Sequence, residues 1–166
     1  MSAANFCNIA VIGAGTMGSG IAAQIANAGH NVLLLDLDAK SAAERTPAET
    51  AIDRLLASGP PQLMAKKNVA RITTGVIDDD FDKLADCDWI IEAVVERLDI
   101  KKALYHCLDA VIGADCIVRS NTSTIPIKLL VEDMPSAFRR RFAITHYFNP
   151  VRYMRLLELV RGSETT

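Results

Sequence analysis

The 166-residue chain has no apolar run approaching the roughly 20 residues of a membrane-spanning helix, although half of its residues are hydrophobic. No contact with a membrane is expected. A basic leader is also missing. Met1 to Cys7 carries no Lys or Arg and runs almost directly into an apolar stretch, so no signal or transit peptide is expected and the expected compartment is the cytoplasm. Net charge is only −2, which argues against the basic face that a nucleic-acid partner requires, and none is expected. The four cysteines, Cys7, Cys87, Cys107 and Cys116, show neither CxxC nor zinc-finger spacing, so no metal site is expected. Cys7, Cys87 and Cys116 lie in or beside apolar runs and are expected to stay reduced. Internal repeats and low-complexity segments are absent. The length suits one domain with a proper core.

What the chain does have is a glycine-rich turn in a specific setting. A short apolar run, Ile9–Ile12, reads as a strand buried on both faces and feeds into Gly13-x-Gly15-x-x-Gly18. A helix of small residues follows over 19–28 and stops at Gly29, a suitable residue just past a helix end. A second apolar run over 31–35 ends in Asp36, twenty-one residues after Gly15. Strand, glycine turn, helix, strand and acid, in that order, form the dinucleotide-binding βαβ unit. Gly13 permits the tight turn, Gly15 leaves room for a pyrophosphate, and Gly18 lets the helix pack on the sheet. Phosphates are expected on the free N–H groups of the helix start, around Thr16 and Met17. Asp36 is expected on the adenosine ribose, where its charge repels a 2′-phosphate and favours NAD over NADP.

Further elements alternate in type. Residues 37–41 can start a helix, and 47–56 has helical periodicity with Pro47 in a first-turn position. Residues 58–61 form a break, 62–67 a short helical segment, and 69–75 a third strand. The acidic run 78–82 reads as a solvated loop. Residues 89–94 form a buried fourth strand, 95–112 a long helix with an apolar face at Leu98, Leu104, Leu108 and Val111, 116–118 a fifth strand and 142–145 a sixth. A return strand over 154–160 follows the turn at Asn149 and Pro150. The fold class is α/β: a Rossmann-type, doubly wound, mostly parallel sheet with a C-terminal antiparallel strand added.

Two stretches directly follow strands: Ser120-Asn121-Thr122-Ser123, and Thr145-His146-Tyr147-Phe148-Asn149-Pro150. In open α/β sheets ligands bind outside the carboxyl ends of the strands, so both fall on the rim of the glycine turn. Together with Gly13-Ala14-Gly15-Thr16-Met17-Gly18 and Glu92-Ala93-Val94-Val95-Glu96, they resemble the N-terminal NAD-binding domain of 3-hydroxyacyl-CoA dehydrogenases. The likeness runs over essentially the whole chain. Residues 58–102 look most like the versions in long chains that also carry an enoyl-CoA hydratase domain.

The resemblance implies roles for particular residues. His146 matches the family's catalytic histidine, suited to taking the proton of a hydroxyl because imidazole titrates near working pH. Glu158 matches its carboxylate partner. Ser123 and Asn149 match residues that hydrogen-bond the substrate oxygen. Glu96 and Lys101 match positions near the nicotinamide-side ribose, and Ser123 joins them in the cofactor set. Lys66, Lys67 and Arg71 could meet CoA phosphates, but a solvated basic face is the better reading. His30 and His106 read as structural or surface residues.

The implied activity is hydride transfer from a 3-hydroxyacyl-CoA to NAD⁺ in fatty-acid β-oxidation. Residues 1–166 are expected to be an isolated NAD-binding domain. The helical substrate and dimerisation domain of the family has no counterpart here, and the full-length protein is expected to be a homo-oligomer. Two other readings stay open: a β-hydroxyacid dehydrogenase domain acting on free acids with a lysine base, and a non-catalytic NAD-binding module.

Overall fold

Ile9–Ile12 (β1) is buried along its whole length because the sheet it sits in is covered on both sides. The computed structural model describes residues 6–39, 41 and 44–166. Ile9 and Val11 point into one apolar layer, shared with Ile21, Ala22, Ile25, Ala51 and Leu55. Ala10 and Ile12 point into the other, shared with Ile90, Tyr105, Leu108, Phe138 and Phe142. After the glycine turn the chain forms helix α1 (Thr16–Asn27), three residues longer at its start than its apolar pattern suggests. Gly29, at φ +96°, lets the chain leave the helix. Val32–Asp36 (β2) then pairs parallel with β1, Ile9 opposite Val32 and Ile12 opposite Leu35.

Helix α2 (Pro47–Ala57) opens on a capping box. The Thr46 hydroxyl accepts the Glu49 N–H at 3.2 Å, and the Glu49 carboxylate accepts the Thr46 N–H at 3.0 Å. The helix start expected over 37–41 does not form at residues 37–39, which have no regular structure; Lys40 lies outside the described residues. The helical segment expected at 62–67 is a bend running into a 3-10 turn, Lys66–Arg71. That turn takes the first three residues assigned to the third strand, which is instead Ile72–Val76 (β3). Arg71 explains the shift: its guanidinium donates to the Gly29 carbonyl and to Asn68 Oδ1, both at 3.3 Å, holding the segment curled at the end of α1.

The acidic run is helical rather than a loop. It forms α3 (Ile77–Asp80) and a 3-10 turn, Phe81–Asp86. Asp80 Oδ2 accepts the Val76 N–H at 2.8 Å and Oδ1 meets Lys83 Nζ at 2.6 Å, so the carboxylate has partners at both ends of that short helix.

The rest runs as Trp89–Glu92 (β4), Leu98–Val111 (α4), Ile117–Ser120 (β5), Ile127–Val131 (α5), Ser136–Arg141 (α6), Phe142–Tyr147 (β6) and Leu157–Arg161 (β7). Helix α4 starts three residues later than its pattern, because 95–97 make a tight turn closed by Arg97 N–H on the Val95 carbonyl at 2.8 Å. Strand order is β3-β2-β1-β4-β5-β6-β7, parallel throughout except β7, which runs antiparallel to β6. This is the expected doubly wound sheet with its antiparallel addition. The direction of winding reverses between β1 and β4, where such sheets bind ligands. Register aligns the strand ends: Ile12 stands opposite Glu92, Glu92 opposite Ser120 and Ser120 opposite Ile144. Among the described residues no helix is long and apolar enough to cross a membrane.

Candidate active site

The glycine turn is shaped by two close approaches. Gly13 sits at φ +98°, and a Cβ there would lie 2.7 Å from the Ala93 carbonyl oxygen. A Cβ on Gly18 would lie 1.7 Å from the Gly13 carbonyl oxygen, so α1 presses on the turn as only a glycine allows. Gly15 is different: a Cβ there would meet nothing within 4 Å. It is exposed and caps α1, whose first-turn N–H groups, around exposed Thr16 and half-buried Met17, have no partners within the helix. Open space over a bare backbone at a helix start fits a pyrophosphate.

Asp36 closes the other side of this cradle. Its Oδ2 accepts the Ala14 N–H at 2.5 Å and its Oδ1 the Leu37 N–H at 2.7 Å, which aims the carboxylate at the turn and leaves it half-buried. Arg54, not anticipated from sequence, donates from Nη2 to the Ala14 carbonyl at 2.7 Å and ties α2 to the same turn.

His146, near the end of β6, is held from both sides. Nδ1 lies 2.9 Å from Glu158 Oε2, and Nε2 lies 3.0 Å from Ser123 Oγ. A carboxylate only accepts, so Nδ1 carries the proton and Nε2 is left to accept from the serine hydroxyl. Phe148 packs against the ring with centroids 4.5 Å apart. The imidazole is largely sheltered while Glu158 is half-exposed. Asn121, given no role of its own in the sequence, stitches the loop after β5 to β6 by accepting the Tyr147 N–H at 2.9 Å.

Glu96 lies under that loop. Its Oε1 accepts the Thr122 hydroxyl at 2.5 Å, the Ser123 N–H at 3.0 Å and the Thr124 N–H at 3.1 Å. Burial works against the charge, but these donors and the Lys101 ammonium outweigh it and pull the carboxyl down to about 2. Its side chain remains 38% exposed, so it can still face a ligand.

Lys101, expected near the nicotinamide-side ribose, is turned inward. Its side chain is wholly buried, with Nζ 2.8 and 3.0 Å from the two Glu92 oxygens and 3.5 Å from Glu96 Oε2. Turning inward neutralises Glu92, an acid buried at the end of β4 that also accepts from the Tyr105 hydroxyl at 2.6 Å and from the Ser120 hydroxyl. Burial and the neighbouring carboxylate push the Tyr105 phenol far up, so it stays a neutral donor. An acid inside a strand flanked by Trp89, Ile90 and Ile91 was the available signal for this cluster, since buried acids are almost never unpaired.

Asn149 is exposed and has no hydrogen-bond partner among the described residues. It lines a cleft of about 160 Å³ with Thr16, Ser19, Arg54 and Gln62, so the loop after β6 reaches the start of α1. The structure does not bring it into hydrogen-bond contact with His146 or Ser123. Lys66 and Lys67 are exposed, Arg71 is occupied at the end of α1, and His30 and His106 lie on the surface. Cys87 and Cys116 are buried, and burial pushes their thiols up to about 12 and about 11.

The family model for the 3-hydroxyacyl-CoA dehydrogenase NAD binding domain matches residues 8–166. A Rickettsia felis chain named for a fatty acid oxidation complex trifunctional enzyme is 46% identical over 156 residues, covering 93% of this chain and 22% of its own length. A Deinococcus radiodurans chain named for a 3-hydroxyacyl-CoA dehydrogenase is 42% identical over 157 residues, covering 94% of this chain and 45% of its own. The crystal structure of 3-hydroxybutyryl-CoA dehydrogenase from Escherichia coli K12 superposes with a TM-score of 0.81 at 36% identity, over 98% of this chain and 34% of that one. The chain thus spans less than half the length of these relatives. With its glycine cradle, its Asp36 and the model match over nearly every residue, the chain belongs to the family of 3-hydroxyacyl-CoA dehydrogenase NAD-binding domains.

Proposed function

We propose that this chain is the cofactor-holding half of an NAD-dependent 3-hydroxyacyl-CoA dehydrogenase of fatty-acid β-oxidation. One observation carries the reading: His146 is gripped between Ser123 and Glu158 on the rim that also holds the glycine turn. His146 Nε2 accepts the proton of the substrate 3-hydroxyl. Glu158 keeps Nδ1 protonated and stabilises the imidazolium that forms. Ser123 and Asn149 hold the reacting oxygen, Asn149 once a ligand draws its exposed amide inward. Gly13, Gly15 and Gly18 give the pyrophosphate its room, and the N–H groups of Thr16 and Met17 face its charge. Asp36 takes the adenosine ribose, and Glu96 with Ser123 borders the nicotinamide side. NAD⁺, when bound, takes up the hydride from the 3-carbon.

The whole enzyme works with a helical domain that closes the cleft and makes the oligomer. The open edge of the sheet supports this: in and beside β7, Leu156, Leu157, Leu159 and Val160 are 55%, 46%, 61% and 43% exposed, an apolar strip of the kind that marks an interface. The lysine-base reading loses ground to the His146-x-x-Asn149-Pro150 stretch, whose imidazole already has its Glu158 and Ser123 partners.

Calorimetric titration with NADH and then acetoacetyl-CoA tests binding. In the enzyme that includes the helical domain, His146→Gln should lower kcat for 3-hydroxybutyryl-CoA by about 10²–10⁴. Unchanged turnover would refute the assignment, and NADH binding with no turnover of any 3-hydroxyacyl-CoA would favour a binding module.

A further inference from the structure

The Lys101 ammonium has two partners in one direction and one in the other. Glu92 takes it with both oxygens at 2.8 and 3.0 Å, while Glu96 Oε2 stands 3.5 Å away on the side of the rim. Glu96 divides its oxygens: Oε2 faces Lys101, and Oε1 gathers the Thr122 hydroxyl and the Ser123 and Thr124 amides. Ser123 then presents its hydroxyl to His146 Nε2 at 3.0 Å. An unbroken run of contacts therefore leads from the buried end of β4 to the imidazole.

A buried ion pair is a poor way to gain stability, since an apolar pair of similar volume serves as well. It is a good way to fix a direction. Glu92 is anchored by Tyr105, Ser120 and its own Val94 N–H at 3.2 Å, so the ammonium cannot follow Glu96 outward. Glu96 must instead come to it.

We propose that Lys101 is a positioning residue: through Glu96 it holds the 122–124 turn so that the Ser123 hydroxyl stays on His146. This rests on the reading of Ser123 and His146 as reacting groups, but the link itself is testable without turnover.

Two variants of this chain separate the outcomes. Glu96→Gln keeps one oxygen for the loop and turns an amide toward Lys101, with no buried charge left unpaired. Glu92→Gln with Lys101→Met removes both members of the buried pair together, so no lone charge remains inside. Amide hydrogen exchange and ring ¹⁵N shifts are measured on both, with exposed His30 and His106 as internal controls. In both variants the Ser123 and Thr124 amides should exchange about tenfold faster, in the first because their acceptor loses its charge and in the second because Glu96 loses the ammonium that holds it. His146 should shift while His30 and His106 do not, and amides of β1 and β4 should keep their protection.

Unchanged exchange at Ser123 and Thr124 overturns the proposal. So does faster exchange everywhere, which would make Lys101 a residue of the fold alone. Selective loosening in a protein whose full-length enzyme oxidises no 3-hydroxyacyl-CoA supports the link and refutes the functional reading instead.

Discussion

His146 and Glu158 stand directly opposite each other across the antiparallel β6–β7 pair, and their side chains meet at 2.9 Å. Twelve residues separate them in sequence, and the β6–β7 turn folds that distance to a cross-strand contact. The carboxylate is thus placed by backbone register rather than by a flexible loop. Replacing Glu158 by Gln keeps the shape but offers an amide that can donate, so either tautomer of the ring is accommodated. We expect kcat of the complete enzyme to fall by about 10² or more, with NADH affinity changed less than about threefold. Stopped-flow turnover alongside calorimetry checks both halves.

Gly15 and Gly18 make a matched pair of tests. Gly18→Ala places a methyl against the Gly13 carbonyl and should cost roughly 3 kcal/mol or more of stability, read by urea unfolding. Gly15→Ala meets no protein atom, so its unfolding midpoint should barely move while NADH affinity falls about tenfold or more. Equal losses of stability in the two variants would sink the idea that the space over Gly15 is reserved for a ligand.

Glu96 sets an acid dependence of definite sign. Its folded carboxyl titrates at about 2 against an ordinary 4.5. A lowered value means that its stabilising contribution is complete above 4.5 and is lost as the pH falls toward 2. Wild type should therefore be more stable than Glu96→Gln at neutral pH. The gap should narrow steadily below 4.5 and nearly close near 2, measured by urea unfolding across that range.

Cys87 and Cys116 should resist alkylation in the folded protein at pH 8, because burial holds both thiols protonated well above that pH. Exposed Cys107 should label readily. Mass spectrometry before and after unfolding distinguishes them.

Much of this architecture is local and was legible along the chain. Ile9–Ile12, the three glycines, the small-residue helix and Asp36 lie within one βαβ unit, where hydrophobic period and glycine spacing constrain one another. His146 and Ser123 were legible as candidates because each closely follows an apolar strand. The errors fell where side-chain partners decide, one distant and one local. Residues 69–71 look like strand, but Arg71 reaches the end of α1 and holds them curled. The acidic run looks like a loop, yet Asp80 and Lys83 make it a short helix.

What the sequence by itself determined is the nucleotide cradle and the strand ends that carry candidate chemistry, since both depend on neighbours within a few tens of residues. Only the tertiary structure decided where Lys101 points. At a helical surface position it would reach outward, but an acid at the end of β4, nine residues earlier in the chain and shielded from water, draws the ammonium in. Leaving Glu92 buried without a counter-ion would cost more than dehydrating the ammonium, and that balance depends on what the fold puts beside the charge.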